Sequence, residues 1–277
     1  MNNIFFIAEI GINHNGDINL AKKLMDMAKS CNADIVKFQK RTVDDVIPES
    51  IKYQKRNTIW GYIDYIDYKK KIEFDEIEFD IIDDYSKEIK IDWFASAWDI
   101  KSLRFLDKYK LRYNKVPSAI ITNNTLLEEI AKDNKKTFIS TGMSTIKDID
   151  NAVEIFDNYN CPFVLMHCVS IYPCPDKYLN LKVIETLKER YGCEVGYSGH
   201  SSGILDSSIA VALGAKYIEK HISLDNSLFG TDQAASLEKR GLEYTVRDIK
   251  RINTILGNGN KIILDEEIEK RNQLKYW

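Results

Sequence analysis

Sulfur is scarce in this sequence. Its 277 residues include five cysteines, at positions 31, 161, 168, 174 and 193. The number is odd and no C-x-x-C pair occurs, which argues against a disulfide framework and against a thiolate-rich zinc site. A reducing, cytoplasmic setting fits that usage. No apolar run is long enough to span a bilayer. The start, Met1-Asn2-Asn3-Ile4-Phe5-Phe6, has no basic region before its apolar residues and so does not read as a signal peptide. Neither sign of charge dominates. The net charge is −3 and the pI is about 5.9, which leaves no electrostatic footprint for nucleic acid or an anionic membrane. The turn after the first apolar run, Gly11-Ile12-Asn13-His14-Asn15-Gly16, does not fit G-x-G-x-x-G, and no G-x-x-x-x-G-K-[ST] occurs. Histidine is rare as well, with four in the chain.

What is present is a rhythm. Hydrophobic residues make up 44% and charged residues 29%, ordinary values for a soluble globular protein. Short apolar, β-branched runs recur at 4–10, 34–39, 93–98, 113–117, 137–141, 163–168, 194–198 and 216–222. Helical patterns follow most of them. Leu20, Leu24, Met25 and Ala28 share one helical face, as do Ile77, Ile81, Ile82, Tyr85 and Ile89. Ser144 or Thr145 caps a helix with Asp148 in its first turn, and Gly214 closes another. Eight strand–helix units in this length predict an α/β fold, a single-domain (β/α)8 TIM barrel over 1–277. The rival, a doubly wound open sheet, lacks its glycine-rich first turn. Residues 40–73 form a long insertion after strand two, carrying Trp60, Gly61 and Tyr53, Tyr62, Tyr65 and Tyr68. It reads as a lid, an oligomer contact or a decorative loop. The charged tail, 258–277, is expected to end in a short helix.

In a barrel, chemistry collects where strands end at their C-terminal side. Polar residues fall there in all eight runs. Glu9 ends strand one. Lys37 and Gln39 share a face of strand two. Ser96 ends strand three, and Lys115 and Ser118 end strand four. Strand five ends Ser140-Thr141-Gly142-Met143-Ser144, and strand six ends His167-Cys168-Val169-Ser170. Strand seven ends Ser198-Gly199-His200, and strand eight carries Glu219 and His221 on one face. Lys37 and Lys115 with Ser96, Ser118, Ser144 and Ser198 could surround a phosphate and a carboxylate. For one serine a turn or cap is the plainer reading. A lysine within an apolar strand, such as Lys37, needs burial or a ligand. His200 and His221 are either hydrogen-bonded core histidines or metal ligands. Two on adjacent strand ends, with Asp232 in the next loop, favour a metal. With no thiolate, an open site for Mn²⁺, Mg²⁺ or Fe²⁺ fits better than structural zinc. His14 either touches substrate or stabilises its turn, and His167 is placed near the site without a ligand role.

Ile7-Ala8-Glu9-Ile10-Gly11-Ile12-Asn13-His14-Asn15-Gly16, Val36-Lys37-Phe38-Gln39, Ser140-Thr141-Gly142-Met143-Ser144, Met166-His167-Cys168-Val169-Ser170-Ile171-Tyr172-Pro173, Gly196-Tyr197-Ser198-Gly199-His200-Ser201 and Ile218-Glu219-Lys220-His221 stand in order along nearly the whole chain. Together they resemble the sialic acid synthase family, which includes the N-acetylneuraminate synthases and their legionaminate, pseudaminate and spore-coat relatives. The resemblance implies a TIM barrel that condenses phosphoenolpyruvate with an aldose, usually an N-acylhexosamine. The product is a 2-keto-3-deoxy sugar acid, and phosphate is released. It implies a divalent metal, typically Mn²⁺, at His200 and His221. It implies a phosphoenolpyruvate site at Lys37, Ser96, Lys115, Ser118, Ser144, Ser170 and Ser198, and a catalytic carboxylate at Glu9, with Gln39 and Asp232 near sugar and metal. A cytoplasmic homodimer is expected. Several positions depart from the family. Ile120 stands where a carboxylate is usual, Ser170 where many members carry Asn, and Gln233 where His is common. The chain ends where a linker to the family's C-terminal antifreeze-like (SAF) domain would begin, so a short form without that domain is expected. Ile120, Gln233 and the missing domain lie on the sugar side and point to an altered aldose. Two other readings remain: a Schiff-base aldolase using Lys37 or Lys115, and a non-catalytic sugar-binding homologue.

Overall fold

The computed structural model describes residues 4–275 and 277. Eight parallel strands form one sheet: β1 (Phe5–Gly11), β2 (Ile35–Lys40), β3 (Asp92–Ala97), β4 (Tyr113–Val116), β5 (Lys136–Ser140), β6 (Phe163–Cys168), β7 (Glu194–Gly199) and β8 (Tyr217–His221). Their order is β3-β2-β1-β8-β7-β6-β5-β4, so the first and last strands pair and the sheet curls on itself. β3 and β4 meet at the seam, which gives the (β/α)8 barrel. Each apolar run read from the sequence forms one of these strands. The strands are buried on both faces because helices cover them, which is why they read as near-continuous apolar runs.

The covering helices are α1 (Ile18–Ser30), α2 (Glu76–Ile89), α3 (Ile100–Leu106), α4 (Asn124–Lys132), α5 (Ile146–Asn158), α6 (Val183–Tyr191), α7 (Leu205–Ala212) and α8 (Lys239–Ile249). Their starts follow from capping side chains. Asp17 accepts from the backbone N–H groups of Asn19 and Leu20 at the start of α1, and Thr145 and Asp148 form a capping box on α5. Between strands and helices lies one continuous apolar core, from Phe6 and Ile7 on β1 to Val246 and Ile249 on α8.

The insertion carries secondary structure of its own. It holds short helices at Val43–Val46, Glu49–Lys52 and Tyr65–Ile72, and an antiparallel hairpin pairing Lys55–Thr58 with Gly61–Asp64. Val43, Ile47 and Ile66 form its own small core, while Tyr68 and Ile72 pack on Ile12 of the loop after β1. Elements this short leave no readable period in the sequence. The tail does end in a helix, Asp265–Leu274, which buries none of its residues. Among the described residues, no helix is long and apolar enough to cross a membrane.

Candidate active site

Strand register builds the site. Glu9 on β1 stands opposite Lys37 on β2 and His221 on β8. Gln39 is level with Ser96 on β3, and Glu219 with Ser198 on β7. These side chains, with Lys115 from β4 and Ser140 from β5, converge at the mouth around a cavity of about 270 Å³. Two lysines and two glutamates form its floor, each at most 5% exposed. Lys37 lies 2.8 Å from Glu9 Oε2 and 3.6 Å from Glu219 Oε1, and donates to Ser96 Oγ at 3.2 Å. Lys115 donates to Glu219 Oε2 at 2.9 Å and to Ser140 Oγ at 2.7 Å. Ser198 donates to Glu219 Oε1 at 3.1 Å, and Gln39 donates to Glu9 Oε1 at 3.1 Å.

The two carboxyls are driven apart. Burial raises both, but Lys115 and Lys37 overcome it at Glu219 and bring its pKa down to about 2. At Glu9 burial wins over Lys37, and the neighbouring Glu219 charge adds to it, so Glu9 is pushed up to about 7. Lys37 is raised despite its burial, chiefly by Glu219, and stays an ammonium. Lys115 is lowered by burial, which Glu219 only partly offsets. Glu219 is therefore the fixed counter-ion of the lysines. Glu9 is the carboxyl able to exchange a proton near neutral pH, and such a split between two carboxyls marks separate acid–base duties.

Above the floor stand His200 and His221, their ring centroids 5.5 Å apart. His221 Nδ1 is buried without a hydrogen-bond partner, and Asp232 Oδ2 lies 3.7 Å from it. Burial, then the nearby Asp232 acting in the opposite sense, leave its pKa lowered to about 4, so the imidazole is neutral with a free lone pair. His200 donates from Nδ1 to the Val169 carbonyl at 2.8 Å, which leaves Nε2 as its acceptor. Tyr172 packs against its ring, the centroids 4.0 Å apart and the planes tilted by 33°. Burial opposes charge on His200, yet Cys168, 3.8 Å from Nδ1, leaves its pKa raised. A cation at Nε2 would compete with that proton. Among the described residues, no group of three or more His, Cys, Asp and Glu forms a ligand cluster. Two imidazoles with an unpartnered nitrogen fit an open divalent-cation site that takes its other ligands from substrate and water.

The sequence pattern of the NeuB family matches residues 24–261. The chain belongs to the NeuB family. It is 37% identical over 267 residues to the N,N'-diacetyllegionaminic acid synthase of Campylobacter jejuni, which covers 94% of this chain and 80% of that relative. It is 35% identical over 274 residues to human N-acetylneuraminate-9-phosphate synthase, covering 98% of this chain and 76% of the relative. The crystal structure of the N-acetylneuraminic acid (sialic acid) synthetase of Leptospira borgpetersenii superposes with a TM-score of 0.87 at 36% identity. That comparison covers 100% of this chain and 94% of that one.

Most residues that the family resemblance singled out line the cavity: Glu9, Lys37, Gln39, Ser96, Lys115, Ser118, Ser170, Ser198, His200 and His221. Ser144 does not; its hydroxyl donates to the Gly142 carbonyl at 3.0 Å. Ser140 stands there instead, bonded to Lys115. Asp232 lies outside the lining and reaches the site through His221. Gln233 ties loops together, donating to the Asn13 carbonyl at 3.2 Å. His14 serves its turn: it accepts from the Gly16 N–H at 3.1 Å and stacks on Phe74. His167 donates to the Leu179 carbonyl at 2.7 Å, away from the cavity. Sequence reasoning noted Glu219 but gave it no role. Its signal is a carboxylate inside an apolar strand, two residues before a candidate ligand, which needs a cation to be tolerated.

Proposed function

We propose that the chain condenses phosphoenolpyruvate with the open-chain form of an aldose, giving a 2-keto-3-deoxy sugar acid and phosphate. The observation that carries this reading is the pairing, in one cavity, of two buried lysines with a carboxyl near neutral pKa and two imidazoles free to bind a cation. Membership of the NeuB family and similarity to legionaminic and N-acetylneuraminic acid synthases support it.

Lys37 and Lys115 bind the phosphate and carboxylate of phosphoenolpyruvate, with the hydroxyls of Ser96, Ser118, Ser140, Ser170 and Ser198 as directed donors. Glu219 holds the lysines in place. A divalent cation at His200 and His221, Mn²⁺ in our reading, would supply Lewis acidity toward the aldehyde oxygen. C3 of phosphoenolpyruvate attacks the aldehyde carbon, and the new C–C bond leaves positive charge at C2. Water adds at C2, and Glu9, oriented by Gln39, takes its proton. The alkoxide left on the former aldehyde carbon takes up a proton to become a hydroxyl, and the C2 hydroxyl gives up its own proton as phosphate leaves by C–O cleavage, which makes C2 the 2-keto group. Phosphate release from phosphoenolpyruvate, measured with Mn²⁺ across a panel of aldoses, tests the reading. Release that depends on both aldose and metal is expected. No release with any aldose sinks it.

The lowered pKa of Lys115 favours one second reading, a Schiff-base aldolase. A borohydride-trapped adduct with turnover surviving chelator would establish that mechanism instead. The reading also carries with it a homodimer, to be checked by light scattering.

A further inference from the structure

On β8, Glu219 and His221 face the mouth, and Lys220 between them faces out toward the helices. Ile218 and Ile222, on the same face, belong to the apolar core. Lys220 is fully buried there. Four oxygens meet its ammonium: the Ser201 carbonyl at 2.8 Å, Ser201 Oγ at 3.0 Å, the Gly203 carbonyl at 3.1 Å and Asp206 Oδ2 at 3.2 Å. Asp206, near the start of α7, also accepts from the Tyr197 and Ser201 hydroxyls, each at 2.8 Å. Neither Lys220 nor these acceptors line the catalytic cavity.

Stability does not by itself account for a charge at this position. An apolar side chain of similar volume in place of a buried ion pair is often neutral or stabilising, whereas a buried pair can hold a register. The register at issue is that of the two histidines. The ladder between β7 and β8 ends with Lys220 opposite Gly199. His200 and His221 each follow that last pair, so the ladder does not space them. Toward β6, His200 is tied by its carbonyl, which accepts from the Cys174 N–H at 2.9 Å, and by its Nδ1 bond to Val169. Toward β8, the tie is Lys220. Its bonds to Ser201 and Gly203 hold the segment just after His200 against the residue just before His221.

We propose that Lys220 is a positioning residue for the cation site: from outside the barrel its ammonium clamps the loop after β7 to β8 and so sets the spacing of His200 and His221. With two imidazoles and, among the described residues, no larger ligand cluster, that spacing decides how well one ion is shared. This inference rests on the cation reading of the two histidines and names a residue that controls it.

The test titrates wild type, Lys220→Met and Ser201→Ala with Mn²⁺ and reads free and bound metal by electron paramagnetic resonance. No substrate is present, so the readout needs no turnover. Lys220→Met is expected to weaken Mn²⁺ about tenfold and to change the zero-field splitting of the bound ion. Ser201→Ala removes one acceptor of the ammonium and leaves three. It is expected to weaken Mn²⁺ about threefold, and it decides the question if Lys220→Met does not fold by far-UV circular dichroism. Phosphoenolpyruvate affinity, measured by calorimetry without metal, should stay within about twofold of wild type, because Lys37 and Lys115 lie on other strands. Wild-type Mn²⁺ affinity in the folded variants overturns the clamp and leaves the cation site standing. Equal weakening of Mn²⁺ and phosphoenolpyruvate shows a general loosening of the mouth and overturns the clamp as well. A wild type that binds no Mn²⁺ overturns the cation site, and the clamp with it.

Discussion

At the scale of single residues, Glu9 is the most informative. As the base for water addition it must be ionised, so turnover should rise with pH through about 7, the value to which burial pushes it. Glu9→Gln removes the proton acceptor at nearly constant shape. We expect kcat to fall about 10²–10⁴-fold and the pH limb near 7 to vanish from the rate profile. Stability gives an independent check. The folded pKa of Glu9 lies above the ordinary 4.5, so its protonation stabilises the fold below that value, and the contribution is lost as pH rises through about 7. Glu219, lowered to about 2, contributes in the opposite window, above 4.5, and its contribution is lost as pH falls toward 2. At about 1.4 kcal/mol per pKa unit, wild type should lose on the order of 2–3 kcal/mol relative to Glu9→Gln between pH 5 and pH 8 in denaturant titrations. The histidines give the metal test. His221→Ala should abolish Mn²⁺-dependent turnover while far-UV circular dichroism stays that of the folded barrel; unchanged turnover refutes its role as a ligand.

At the scale of elements, the loop after β5 controls how closely substrate approaches. A Cβ built on Gly142 would lie 2.4 Å from Ser170 Oγ and 2.7 Å from Ser118 Oγ, filling the space between two hydroxyls of the cavity wall. The Gly142 N–H also donates to Ser118 Oγ at 3.0 Å. Gly142→Ala should therefore raise KM for phosphoenolpyruvate about tenfold or more, with little change in melting temperature, in steady-state and thermal assays. The barrel itself was legible because a strand covered on both faces must be an apolar run, and a run that ends on Glu9, Lys37 or His221 announces the mouth. The insertion was not, because helices of four residues such as Val43–Val46 have too few turns to show a period. Among site residues, those on strands were placed by parity. Ser144 lies past the end of β5, where parity no longer fixes direction, and its hydroxyl turns back to Gly142.

At the scale of the whole molecule, stability and chemistry occupy different ends of one core. The apolar residues of the eight strand–helix units pack into a single continuous cluster that reaches Ile249 on α8. Beyond Ile252, the described side chains are exposed, and the Asp265–Leu274 helix has no buried residue. Hydrophobic burial is the main favourable term in folding, so a segment without a buried residue adds little to it. Removing residues 258–277 should then move the thermal midpoint by less than about 2 °C, since in a domain of this size a 1 kcal/mol change already shifts it by about 2–4 °C. The same truncation should leave kcat/KM for phosphoenolpyruvate unchanged, because the groups that line the catalytic cavity lie between Glu9 and His221. A midpoint lowered by 5 °C or more would mean that the tail covers apolar surface, and the barrel core ending at α8 would no longer account for the stability of the fold.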